Sequence, residues 1–180
     1  APDGKRCPHT NLLEGNGKFV TYGIDGKISS EDNYKNGKLN GPSIWYIDGE
    51  KWMEDNYKNG KLDGPQITYE EGKKYDERYF KDDQLDGLSM EWYDNGQICS
   101  KYIYKKGLLH GSSISWYDDG TKLSKGSYWE GNKSGLWNNW YENGQQENEL
   151  EYKNGLIFSA KVWAPDGKRC PHTNLLEGNG

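Results

Sequence analysis

The sequence predicts an all-β fold, an elongated open antiparallel sheet of tandem β-hairpins, with about seven units of 23–24 residues. Three observations predict it. Turn glycines recur at near-constant spacing. A second turn follows each of them eleven residues later, so every unit holds two strands. No 3.6-residue apolar period survives, and Gly recurs too often for an uninterrupted helix.

The turns come first. Gly4, Gly26, Gly49, Gly72, Gly96, Gly120, Gly144 and Gly167 are separated by 22, 23, 23, 24, 24, 24 and 23 residues. All but Gly4 are expected to be structural turns, because Asp-Gly and Asn-Gly tolerate the positive φ of tight hairpins. The second column is Gly15, Gly37, Gly60, Asp83, Gly107, Gly131, Gly155 and Gly178. A third reads Gly41, Gly64, Gly87, Gly111 and Gly135, with Ser159 in place of Gly. From this column to the next turn the count is eight residues after Gly41 and Gly64, and nine after Gly87, Gly111 and Gly135. The extra residue is expected as a bulge near the start of the longer strands.

The strands follow. Four residues before each turn stand Tyr22, Trp45, Thr68, Trp92, Trp116, Trp140 and Trp163, of which Trp45, Trp92, Trp116, Trp140 and Trp163 are expected to form an aromatic ladder. The next column, with Tyr46, Tyr69, Tyr93, Tyr117 and Tyr141, should face the other way, because successive strand side chains alternate. Only 32% of the residues are hydrophobic but 14% are aromatic, so rings rather than Leu, Ile and Val are expected to supply the core.

The ends differ from the middle. Residues 1–17 recur unchanged as residues 164–180, at an offset of 163. Internal units differ at many positions, so ordinary divergence does not explain this identity. Two origins account for it: a parent chain repeating every 163 residues, or deliberate duplication of the segment. The expected organisation is a partial junction repeat at 1–16, six hairpin repeats at 17–158, and a junction repeat at 159–180.

Candidate chemistry is sparse. A net charge of −5 without a basic cluster argues against nucleic acid and anionic membrane surfaces as partners. No stretch approaches the ~18 apolar residues of a membrane helix. Cys7, Cys99 and Cys170 share one repeat column, three residues after a turn glycine. Their separation in an open sheet excludes an intrachain disulfide and leaves an intermolecular one. Cys7-Pro-His9 and Cys170-Pro-His172 lack the paired spacing of a metal site, so no metal or other cofactor is expected. Asn132-Lys-Ser134 is a glycosylation sequon. No catalytic residue is expected.

The segments YKNGKLNGPSIWYIDG (34–49), YKNGKLDGPQITYEEG (57–72) and YENGQQENELEYKNG (141–155) resemble the MORN-repeat family in its bacterial variant form, similar to the YwqK-type antitoxin group. The resemblance implies an elongated sheet of hairpins without a conserved catalytic centre. It also implies phosphoinositide binding in some members, which the acidic balance here opposes. The function expected is a non-catalytic structural repeat protein, the unit of an extended or filamentous assembly at the cell surface or outside the cell, with itself as partner. The alternatives are an antitoxin- or immunity-like module that holds a protein partner, and a carbohydrate-binding aromatic surface.

Overall fold

The structure is a computed structural model that describes residues 10–171. Among them are fourteen strands, no helix, and only antiparallel pairings. The chain divides into two compact units, one up to Leu85 and the other from Asp86.

The first unit is a meander of β1 (Gly17–Tyr22), β2 (Ile28–Lys35), β3 (Lys38–Ile47), β4 (Glu50–Lys58), β5 (Lys61–Leu62), β6 (Gly64–Glu70) and β7 (Lys73–Lys81). Each strand pairs with the next, except that β5 and β6 are two pieces that both pair with β4. The second unit holds β8 (Gln84–Trp92), β9 (Ile98–Lys105), β10 (Leu108–Trp116), β11 (Lys122–Trp129), β12 (Asn132–Trp140), β13 (Gln146–Lys153) and β14 (Leu156–Val162). These also pair in chain order.

Two turn types alternate along the chain. The second-column turns are two-residue loops with positive φ at both positions, as at Asn36-Gly37 (52° and 73°) and Asn154-Gly155 (52° and 78°). This mirror-image geometry matches the twist of paired strands. Asp82-Asp83 adopts it without glycine (49° and 68°), and Asp83 Oδ1 compensates by accepting from the Leu62 N–H at 2.8 Å. The first-column turns are of two lengths. At Asp48-Gly49 and Glu71-Gly72 the loop again has two residues with positive φ, flanked by the pairs Ile47–Glu50 and Glu70–Lys73. At Gly96, by contrast, the Tyr93 N–H donates to the Gln97 carbonyl (2.9 Å) and the Gly96 N–H to the Tyr93 carbonyl (2.8 Å), enclosing three residues. The loops at Gly26, Gly120, Gly144 and Gly167 follow the same pattern.

The extra residue of the longer repeats therefore lies in this turn, not in a bulge at the start of the strand. A three-residue loop with a terminal positive-φ glycine closes a hairpin without disturbing the ladder, whereas an extra strand residue would invert every side chain beyond it. Bulges do occur, but in short and long hairpins alike: near the strand starts the register shifts between Leu39 and Ser43 in β3, between Leu109 and Ser113 in β10 and between Ser134 and Asn138 in β12. Opposite each turn one residue is skipped between paired neighbours: Ser29, Trp52, Tyr75, Cys99, Leu123 and Glu147.

The interior also departs from expectation. Among the described residues the buried hydrophobic side chains are Val20 and Trp137. The other buried side chains are polar: Ser30, Ser43, Ser89, Ser100, Ser113 and Ser115, with Asp55, Asp76 and Glu77. Serines are small enough to be covered by taller neighbours on the same face, and they satisfy one another by hydrogen bonding. Ser115 and Ser124 share a bond of 2.7 Å, and the Ser100 hydroxyl donates to Glu91 at 2.9 Å. Most rings stand half-exposed around them, so the rings frame a polar floor and do not form the core.

Candidate binding surfaces

The turn length decides which face an aromatic takes. Trp45 pairs with Met53, four residues past its turn glycine, and Tyr46 pairs with Lys51, two past it. In the second unit the residue pairing four past Gly96 is Glu91, with Ser100, and the residue pairing two past it is Trp92, with Ile98. Trp116 and Trp140 pair in the same way as Trp92. Trp92, Trp116 and Trp140 thus occupy the hairpin position of Tyr46 and Tyr69, and Trp45 occupies that of Glu91. The column of Trp45, Trp92, Trp116, Trp140 and Trp163 is not one ladder. Trp45 shares the face of Ser43, while Trp116 faces away from Ser113 and Ser115.

On the face away from the serines, lysines lie over the rings. Lys101 Nζ is 5.9 Å from the Trp116 ring centroid, Lys122 Nζ 6.0 Å from Trp140, and Lys51 Nζ 5.5 Å from Tyr69. These three rings already have the protein's own cations beside them.

The second unit is braced along its turns. The Tyr93 hydroxyl donates to the Trp116 carbonyl at 2.7 Å, Tyr117 to Trp140 at 2.9 Å, and Tyr141 to Trp163 at 3.0 Å. The Asn95 amide donates to the Asp118 carbonyl at 2.7 Å, and Asn143 to Pro165 at 2.9 Å. Each hairpin is tied to the next through the residue that the three-residue turn places outside the ladder. A hydrogen bond with the Cys99 thiol, and then burial, push the Tyr93 hydroxyl up to about 12.

On the serine face of the second unit, Trp137 is 3% exposed and packs over Gly126. A Cβ on Gly126 would lie 2.2 Å from the Trp137 ring, so only glycine fits. Tyr128 meets this ring edge-on at 5.0 Å, its Nε1 donates to the Ser127 carbonyl at 3.0 Å, and Lys133 Nζ sits 4.2 Å from its centroid. Burial pushes the Lys133 ammonium below its usual range.

The first unit carries a different feature at the turn end of its hairpins, a groove of about 780 Å³ lined by Gln66, Thr68, Asp76 and Arg78 and also by Lys51 and Tyr69. Its walls include Trp52 and Tyr75, both bulge residues, 43% and 52% exposed. Its floor includes Thr68, which stands where the preceding hairpin has Trp45, so a small side chain opens the space between the rings. Thr68 Oγ1 is buried and has no hydrogen-bond partner. Beside it Arg78 Nε donates to Asp76 at 3.0 Å, and the Gln66 amide donates to Asp55 at 2.8 Å. Burial, with the Asp55 carboxylate next, pushes Tyr57 up to about 12. No sequence column pointed to this groove, because it arises where a Trp column lapses to Thr and a bulge column happens to be aromatic.

The remaining candidates are scattered. Gly26, Gly49, Gly72, Gly96, Gly120, Gly144 and Gly167 all have φ between 75° and 90°. Cys99 and Cys170 are half-buried thiols, Cys99 at a bulge position, and Cys7 lies outside the described residues. Asn132 begins β12 on the exposed side of the Glu130-Gly131 turn, its amide 3.4 Å from the Glu130 carbonyl. Among the described residues no three His, Cys, Asp or Glu side chains stand within reach of one metal ion.

At the two ends, parts of the repeated segment enter hairpins. The Asn11 N–H donates to the Lys18 carbonyl at 2.9 Å, and Leu13 and Asn16 close the positive-φ turn Glu14-Gly15. Ala164–Lys168 forms a three-residue turn like that at Tyr93, and the Cys170 N–H donates to the Val162 carbonyl at 2.8 Å.

Residues 85–106 and 109–130 match the family model described as the MORN repeat variant. The matches span the hairpins β8–β9 and β10–β11 and end at Lys106 and Glu130, the first residues of the turns that follow. No curated protein matches the chain.

Proposed function

We propose that this chain is a non-catalytic β-repeat scaffold that continues from copy to copy through its hairpin ladder, as the unit of an extended extracellular assembly. The observation that carries the reading is the repeated segment. Its first half, at the C-terminal end, makes a turn and begins a strand against β14. Its second half, at the N-terminal end, finishes a strand against β1 and makes the next turn. Joined in one copy of the segment, the halves describe a single strand that pairs with β14 on one side and with β1 of the following copy on the other. Such continuation leaves no bare edge at the junction, the usual hazard of an open sheet. Head-to-tail contacts that do not close generate filaments. Bridges through Cys99 or Cys170 would join neighbouring assemblies in this reading.

The test is a polypeptide of two periods sharing one copy of the segment. Hydrogen exchange along the shared segment should be as slow as in β9 and β10. Exchange as fast as in an exposed loop would contradict continuation. Recovery of one stoichiometric foreign protein by the native chain would move the reading to an antitoxin-like module.

A further inference from the structure

We infer that the groove between Trp52 and Tyr75 is a binding site for an uncharged, extended saccharide. It concerns the first unit alone and does not depend on the assembly reading.

Trp52 and Tyr75 hold the same bulge position in successive hairpins, and one hairpin adds two strands at ~4.8 Å. The rings are thus about 10 Å apart along the ladder. That separation suits two sugar rings of one chain, each laid against an aromatic face. Sugars bind such faces through their C–H surfaces, while their hydroxyls need polar partners at the ring edges.

The floor supplies those partners. Thr68 Oγ1 is a buried hydroxyl without a partner, a cost relieved when its side chain turns toward the groove and meets a ligand hydroxyl. Arg78, held by Asp76 and half-exposed beside the groove, offers its remaining guanidinium N–H groups as donors. Gln66 adds an amide. Alternating donors and acceptors match hydroxyl groups, which do both jobs.

Charge excludes other occupants. Lys51 and Arg78 line the groove too, but they are outnumbered there by the carboxylates Asp48, Glu50, Glu70, Glu71 and Asp76. These carboxylates repel phosphate, sulfate and uronic acids. A cationic peptide would gain from the rim but would meet Arg78 at the floor.

The experiment titrates the full chain with short neutral oligosaccharides of glucose, N-acetylglucosamine, mannose and xylose, read by tryptophan fluorescence and calorimetry. Trp52→Ala and Tyr75→Ala should each weaken binding about tenfold or more. Thr68→Val, which keeps the shape and removes the hydroxyl, should weaken it several-fold while melting with the parent. Trp129→Ala, an exposed ring of the second unit, should leave it unchanged. Three results would overturn the proposal. The first is no binding of any neutral sugar at millimolar concentration. The second is sugar binding that survives the Trp52→Ala, Tyr75→Ala double variant. The third is an oligolysine peptide that binds more tightly than every sugar and is lost in that double variant.

Discussion

The two units carry the same repeat columns and use them differently. In the first, the turns at Asp48-Gly49 and Glu71-Gly72 have two residues, Trp45 shares the serine face, and the buried groups include the carboxylates Asp55, Asp76 and Glu77. In the second, the turns at Gly96, Gly120 and Gly144 have three residues, Trp92, Trp116 and Trp140 face away from the serines, lysines lie over Trp116 and Trp140, and Tyr93, Tyr117 and Tyr141 tie each hairpin to the next. One residue in a turn, outside the ladder, decides which face a given sequence column occupies. Repeat proteins that look regular in sequence can thus present different surfaces along one ladder.

The comparison breaks most sharply at Trp137, which has no buried aromatic counterpart among the described residues of the first unit. Trp137→Ala should cost about 3–5 kcal/mol, seen as faster hydrogen exchange in β11, β12 and β13. Exchange in β3 and β4 should hold, and equal losses in both units would show that they do not stand on separate supports. A smaller effect separates turn from strand. Deleting Asn95 shortens the loop to Asp-Gly, the form at Asp48-Gly49. It should cost about 0.5–1.5 kcal/mol by removing the amide bond to Asp118, and should leave Trp92 emission unchanged. Deleting Met90 from β8 instead should cost more than about 2 kcal/mol, because every side chain before it changes face.

The bracing is next. Tyr117→Phe removes the donor to the Trp140 carbonyl and should lower second-unit stability by about 0.5–1.5 kcal/mol. Tyr69→Phe, at the Trp position of a two-residue-turn hairpin, should stay within about 0.5 kcal/mol of the parent. The mildest effect is alkaline. Tyr57 and Tyr93 are both raised from 10.0 to about 12, so their protonated forms are favoured by folding. Their contribution is complete below pH 10 and is lost as pH climbs toward 12. Thermal melts at rising pH should show this decline, and Tyr57→Phe should flatten it for the first unit only.

The sequence carried the hairpins plainly, because the positive φ of their turns favours glycine, as at Gly96 and Gly120, or a polar residue such as Asn36 and Asp83. It carried the faces poorly. Counting back from the turn glycine places Trp45 and Trp92 in one column, and only hydrogen bonding reveals that Asp94, Asn95 and Gly96 form a longer loop. The bulge column was visible through Cys99, but the aromatic members that matter, Trp52 and Tyr75, differ in chemistry from Ser29, Cys99, Leu123 and Glu147 and so formed no pattern. Trp137 was hidden for the same reason: the space it fills exists because Gly126 lies in a strand interior, outside every turn column.

Continuation through the repeated segment is the account's central claim, and the axial spacing of the native assembly tests it most directly. Seven hairpins per 163-residue period, two strands each at ~4.8 Å, give an axial repeat of about 67 Å, slightly less where the sheet coils. Electron microscopy or fibre diffraction should show that repeat together with the strand spacing along the same axis. A discrete particle with both edges covered, or a filament whose repeat is far from this value, would contradict the claim.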